Sequence, residues 1–522
     1  MDPHHPLTVS NAPMRVLGIL VVLGALFACA PKARGPSADT LAELAKADSL
    51  LRDGCYTCLK DALAIYERQQ HPQGAFDAAL LIAVREKELG IPYESAMANA
   101  RKLVTPTSQT VLAASELVIG ETTGLDPVQR AALTGRDRPP IGKDNAVRRA
   151  LDVSFGKDLV ATYIALAIDC ESQLLIESVD VNALLQTYEN VPLMQFRIAR
   201  CGRPAIGAPL ITLRQRDPRW ADTLFWEARR AVTGAPQLGI DLSRAIQLYG
   251  DGRVAFPASI AMTMAWANTN MSAEEFEPAL SGFDHVLVTF PDHRDALSGR
   301  MQSLSYLMRH PDAIVTATRI LDLGTWHIGE AYYWRAWNRY HLKEYESAWA
   351  DVENATKGVS NARVYMLAGL IAYARKELPT AVQRFDRAYE IDSSACDALW
   401  MSGLVSIDQQ ALTTAAPKFT KAMTCFISVT ASLRQNRATL EKQIAARGTA
   451  ATARETRQLE RLQRDADNAE EKSAQSAFNA AACYARTGDK SMALNLVDVA
   501  IAHPGMREKA TVLKVLIDKL RH

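Results

Sequence analysis

Two cysteines three residues apart, Cys55 and Cys58, are the residues of this 522-residue chain whose types and spacing come nearest to chemistry. A CxxC of this kind serves as a redox pair, as half of a metal site or as a local disulfide. Leu59 follows the second cysteine, where haem attachment needs histidine. No second ligand pair completes a zinc site, and no alternation of strands and helices suggests a thioredoxin fold. A structural pair is the favoured reading. Other signatures of chemistry are missing: there is no GxSxG, no HExxH, no GxxxxGK(S/T) and no GxGxxG. The ten histidines are scattered, and adjacent carboxylates such as Glu274 and Glu275 occur in any helical protein. A carboxylate pair brought together only by folding escapes such a search. The motifs therefore point away from an enzyme, and the sequence calls for no cofactor and no metal.

The elements that must position any functional residue are helices. The composition is 48% hydrophobic and 22% charged, enough for a large core or an extended solenoid. A net charge of +1 with no long basic block argues against nucleic acid, because phosphate neutralisation needs clustered Lys and Arg. Between Gly329 and Phe426 a small-residue pattern returns three times. Ala336, Gly369 and Gly403 lie mid-way along successive first helices, Ala348, Ala381 and Ala415 early in the second helices, and Ala355, Ala388 and Ala422 seven residues on. The steps are 33 and 34 residues. Two short helices per period, each unable to bury its apolar stripe alone, predict an all-α solenoid whose repeats share one core.

This pattern resembles the tetratricopeptide repeat. Tyr345 and Leu378 open second helices, and Val352, Phe385 and Phe419 fill the large apolar position between the paired alanines. The best match, Val364 to Asp392, carries Gly369, Ala381, Phe385 and Ala388, while Ala372 and Leu378 stand where the family commonly has tyrosine. The resemblance implies a right-handed superhelix with a concave groove lined by positions 2, 5, 9, 12 and 13 of each first helix. Those are Glu330, Tyr333, Trp337, Tyr340 and His341; then Arg363, Met366, Leu370, Tyr373 and Ala374; then Asp397, Trp400, Leu404, Ile407 and Asp408. Of these, Tyr333, Trp337, Tyr340, His341, Arg363, Tyr373, Asp397 and Trp400 are the candidate partner-binding residues, in a groove suited to an extended or helical peptide. The bland alternative is that several rings pack between helices. The groove lacks the Lys and Asn set of the family's carboxylate-clamp members.

Repeat geometry also pairs cysteines. Cys396 begins a first helix and Cys425 ends its antiparallel partner, and Cys170 and Cys201 have a similar separation; either pair is a disulfide or a pair of buried thiols. At the N-terminus, Met14-Arg15 and a short apolar run to Ala28 have the length of a secretory signal, well short of a membrane span. Leu26-Phe27-Ala28-Cys29 resembles a bacterial lipobox, with Phe27 larger than is usual there. The resemblance implies lipidation at Cys29 and an outer-membrane anchor facing the periplasm.

In order, the expected organisation is an N-terminal extension and signal (1–28), a tether (29–40), a divergent helical-repeat domain (41–210), the repeat array (211–428), an inserted charged hairpin (429–475), and a last repeat with a capping helix (476–522). Degenerate repeats start near Asp217, with Trp220, Phe225, Trp226 and Ala231 on one helix. The hairpin alternates Arg454, Arg457, Arg461 and Arg464 with Glu455, Glu460 and Asp465, as a solvated face does. The function expected is a lipid-anchored scaffold that binds protein partners. A carbohydrate- or small-ligand-binding lipoprotein is the alternative.

Overall fold

The computed structural model describes residues 37–119, 146–171, 181–201, 208–233, 240–324, 328–358, 361–446 and 453–520, with 448, 450 and 451 between the last two segments. Twenty-five helices and no strand occur among the described residues. The signal, Cys29 and the stretch 120–145 lie outside them, as do the side chains of Cys170 and Cys201.

The N-terminal helices are α1 Ala38–Asp53, α2 Tyr56–Arg68, α3 Pro72–Leu89, α4 Glu94–Leu103, α5 Gln109–Ile119, α6 Ala146–Ala150, α7 Leu159–Glu171, α8 Val181–Thr187, α9 Pro192–Cys201 and α10 Ala208–Arg216. α3 is central, and from Ala75 to Glu86 every residue except Asp77 is buried, as its lack of a polar face requires. Asp53-Gly54 separates α1 from α2 as expected, with Gly54 in the left-handed region at φ 68°.

The chain continues with α11 Thr223–Thr233, α12 Leu242–Ala255, α13 Ile260–Ser272, α14 Phe276–Thr289, α15 Arg294–Tyr306, α16 His310–Leu323, α17 Ile328–His341, α18 Tyr345–Gly358, α19 Ala362–Ala374, α20 Leu378–Ile391, α21 Cys396–Asp408, α22 Leu412–Ala446, α23 Ala453–Thr487, α24 Lys490–Ala502 and α25 Arg507–Asp518. From α13 onward, odd-numbered helices are the first and even-numbered the second of each repeat. The five first helices from α13 to α21 each close with one non-glycine residue at positive φ: Glu274, Met308, Lys343, Lys376 and Gln410, at steps of 34, 35, 33 and 34. The next residue's N–H then donates to a carbonyl five residues back, as in Glu377 to Ala372 and Ala411 to Ser406, both 2.9 Å. This turn satisfies the helix-end carbonyls and reverses the chain. Gln70 and His71 make the same turn between α2 and α3, so the motif begins far upstream of the clear copies.

The small positions have a steric cause. A Cβ on Gly369 falls 2.5 Å from the ring of Phe385, and one on Gly403 falls 2.9 Å from Phe419. In the first copy the large position is Val352, and Ala336 is accommodated opposite it; both are fully buried. Small and large residues vary together so that helices meet at one distance.

Two expectations need correction. The boundary near 210 is no break in packing: it falls inside α10, a helix absent from the sequence reading. One core runs from Ala47 to Met262. Arg85 pairs with Asp222, the Ser259 hydroxyl donates to the Leu89 carbonyl, and the Ile260 N–H donates to Gly90 O at 3.2 Å. Trp220 precedes α11 in a turn, because its ring is drawn into that core against Phe196 at 5.3 Å. The charged hairpin is present as expected, as extra helical length inserted into the repeat series. Its arms are continuous with the second helix of one repeat and the first helix of the next, and reverse at Gly448, φ 64°.

Candidate groove and cysteine pairs

The candidate groove residues centre on α17. Its Tyr333, Trp337 and Tyr340 are half-buried and His341 is exposed, because residues 333, 337, 340 and 341 recur at helical spacing on one face. The rings are also locked to one another. Trp337 lies 4.1 Å from His341 and 5.9 Å from Trp334, and His341 stacks on His310 at 5.1 Å with 3° between planes. His310 is held in turn by Asn338, which is fully buried and also donates to Ser305 and to the Trp334 carbonyl. Burial, then the neighbouring His310, lowers the His341 pKa. Burial raises the Tyr333 and Tyr340 phenols, so both are neutral hydrogen-bonding groups.

Between α17 and α19 a cleft of about 250 Å³ is lined by Glu330, Tyr333, Asn361, Arg363 and Val364. Arg363 is exposed and sits 5.7 Å over the Tyr333 ring. A cation, a carboxylate and a phenol around one cleft can hold a main-chain amide or a charged side chain. Further along, the Tyr373 hydroxyl donates to Asp408 at 2.7 Å, and that bond, before burial, raises its pKa. Asp397 receives Lys472 of α23 at 2.5 Å. Trp400 is mostly a packing residue. It bridges two core clusters, and its indole N–H is buried without a hydrogen-bond partner.

The structure therefore brings Tyr333, Trp337, Tyr340, His341 and Arg363 into one patch and sets Tyr373, Asp397 and Trp400 apart from it. Sequence reasoning missed Phe276 and Tyr306, which stack at 4.6 Å and extend the aromatic row through Trp334. They stand at helix ends, where position-by-position reading of the first helix does not reach. It also missed Asp77, whose carboxyl is pushed up to about 7 by burial and then by the charge of Asp158, against a hydrogen bond from Gln73.

Cys55 and Cys58 are disulfide-bonded, with Cα atoms 4.9 Å apart, and so are Cys396 and Cys425 at 5.6 Å; Cys483 is a buried free thiol. Asp217 stands within 4.8 Å of both sulfurs of the first pair. That disulfide consumes two of the three donors a metal would need, and Arg219 takes the carboxylate at 2.7 Å. Among the described residues no helix is long and apolar enough to cross a membrane.

The molecule is an all-α helical-repeat solenoid of tetratricopeptide-like architecture, built from antiparallel helix pairs, left-handed turns at steps of 33 to 35 residues and small-against-large contacts between helices. The sequence matches no protein-family model and no curated protein. Solved structures similar to it include YrrB, described as a TPR protein with an unusual peptide-binding site, at 16% identity over 46% of this chain and 98% of that one, TM-score 0.31. Another is the C-terminal part of a TPR repeat-containing protein from Cytophaga hutchinsonii, at 13% identity over 56% and 98%, TM-score 0.39. A third is MamA from Desulfovibrio magneticus, at 20% identity over 32% and 96%, TM-score 0.31.

Proposed function

We propose that this protein is a lipid-anchored, periplasm-facing scaffold that binds a polypeptide partner in its concave groove and acts as an adaptor or assembly factor of the cell envelope. The observation that carries the reading is the patch of Tyr333, Trp337, Tyr340, His341 and Arg363 beside the Glu330 cleft, a half-buried aromatic surface edged by one cation and one carboxylate. Such surfaces hold peptides by apolar contact, with a few polar groups setting register. Glycan binding ranks below it, because the rings are turned edge-to-face onto one another and offer few free flat faces to a sugar. Anchoring rests on the resemblance of the residues ending at Cys29 to a lipobox.

The test is crosslinking and co-purification from membranes, comparing the natural chain with a Trp337→Ala, Tyr340→Ala variant and with an exposed-residue variant, His341→Ala with Arg363→Glu. A stoichiometric protein lost in both variants supports the groove. Equal recovery with all three refutes it. Cys29→Ser, followed by labelled fatty-acid incorporation, tests the anchor separately.

A further inference from the structure

The charged hairpin returns to the array from which it springs. At its root, Cys396–Cys425 joins α21 to α22 where a second helix of ordinary length would end, and Lys472 pairs with Asp397 at the start of α21. Near its tip, Arg461 of α23 pairs with Glu274, and Arg457 lies 3.6 Å from Glu275. Those glutamates form the turn after α13, four first helices before α21.

The distances determine which side of the solenoid the hairpin crosses. Neighbouring first helices pack about 10 Å apart and are about 20 Å long. A flat row would therefore put Glu274 and Asp397, at opposite ends of helices four steps apart, on the order of 45 Å from each other. Arg461 and Lys472 are eleven residues apart on one helix, a span of about 16 Å plus two side chains. A row curved toward the hairpin closes that difference, and the chord of a curved row lies on its concave side.

From this geometry we infer that the hairpin crosses the groove diagonally, over α15, α17 and α19, as a strap that turns the open groove into a passage, and that the groove takes a polypeptide as an unfolded or single-helix segment lying beneath the strap and excludes a folded domain. This rests on the polypeptide-binding reading above. The root is held covalently and by packing, whereas the tip is held by pairs of half-exposed side chains, which are weak and screened by salt. The tip is thus the end that opens.

Two experiments on the full chain test it. In an Arg461→Lys variant a carbodiimide should join that side chain to Glu274. Yield should fall as salt is raised, disappear when Glu274 is also changed to Gln, and survive in the presence of Trp337→Ala. Absence of the crosslink at low salt overturns the strap. Binding is then measured with a reduced, carboxymethylated globular protein as the unfolded probe and the same protein in native form. The natural chain should bind the unfolded probe and not the native one. Arg457→Glu with Arg461→Glu should raise the association rate on the order of three- to tenfold, and adding Glu274→Lys with Glu275→Lys should restore the slower rate. Equal binding of both probes, or an unchanged rate, overturns the passage. Crosslinking with no binding of either probe overturns the proposed occupant together with the polypeptide-binding reading.

Discussion

Changing Gly369 to Ala tests whether small and large positions in this array are one steric unit. The added Cβ would meet Cδ1 and Cε1 of Phe385 at 2.5 Å, and Phe385 is fully buried, so its ring has nowhere to retreat. Overpacking of this kind costs about 1–3 kcal/mol, while replacing glycine by alanine inside a helix returns about 1 kcal/mol. The net expectation is a loss of up to about 2 kcal/mol. Phe385→Val alone opens a cavity and costs about 2–3 kcal/mol. In that background the clash is gone and the site reproduces the natural Ala336 and Val352 pair, so Gly369→Ala should stabilise by about 0.5–1 kcal/mol. The coupling is then about 0.5–3 kcal/mol. Because a repeat array need not unfold in one step, the measurement is amide hydrogen exchange in peptides covering α19 and α20, where 1.4 kcal/mol is tenfold in rate. The same sign for Gly369→Ala in both backgrounds would refute the steric account.

Asp77 supplies a pH prediction. Its folded pKa of about 7 lies above its ordinary 3.8, so the folded state favours the proton and stability falls as pH rises from about 4 to about 7, then levels. Just over three units correspond to at most about 4 kcal/mol; Asp77→Asn should recover much of this at pH 8 and little at pH 4, and equal gains at both would exclude burial of the charge as the cause. At the left-handed turn residue Lys376, φ 65°, Lys376→Gly should stabilise by about 0.5–1 kcal/mol in the same exchange assay; a loss would mean that the side chain contributes more than the turn strain. Non-reducing peptide mapping should recover Cys55 linked to Cys58 and Cys396 to Cys425, with Cys483 alkylated only after denaturation, since burial raises its thiol pKa; free thiols at Cys396 and Cys425 would remove the covalent root of the hairpin.

The repeats were legible where packing admits few residue types. Gly369 and Phe385 recur as a pair because two helices touch there, and a contact of that closeness leaves a mark in every copy. The turns left no such mark. Glu274, Met308, Lys343, Lys376 and Gln410 share one backbone conformation and no side-chain property, because the conformation is imposed by the hydrogen bonds around it. α10 was missed since APLITLRQR is short and carries proline at its second position, which suits a helix start as well as a loop. Trp220 was misplaced because apolar spacing cannot distinguish a helix face from a turn whose ring enters another segment's core. The shared face of Tyr333, Trp337 and Tyr340 on α17 could be read by position, but the strap could not. Arg461 and Glu274 are 187 residues apart, and their meeting depends on the summed curvature of the repeats between them.

That dependence ties the packing of single repeats to access at the groove. The helices from α13 to α21 form a spring whose curvature is the sum of its contacts, including Gly369 against Phe385. A rotation of about 3° at one repeat, acting over a lever of about 30 Å, moves the far end by roughly 1.5 Å, enough to part an ion pair that has no bulk behind it. Gly369→Ala should therefore lower the yield of the Arg461→Lys to Glu274 crosslink without touching either residue, and Phe385→Val in the same chain should restore it. Screening by salt should act at the contact itself and leave exchange in α19 and α20 unchanged. If both perturbations open the strap, only the first alters protection of those helices, and this separates a strap that senses the shape of the groove from one that is merely charged.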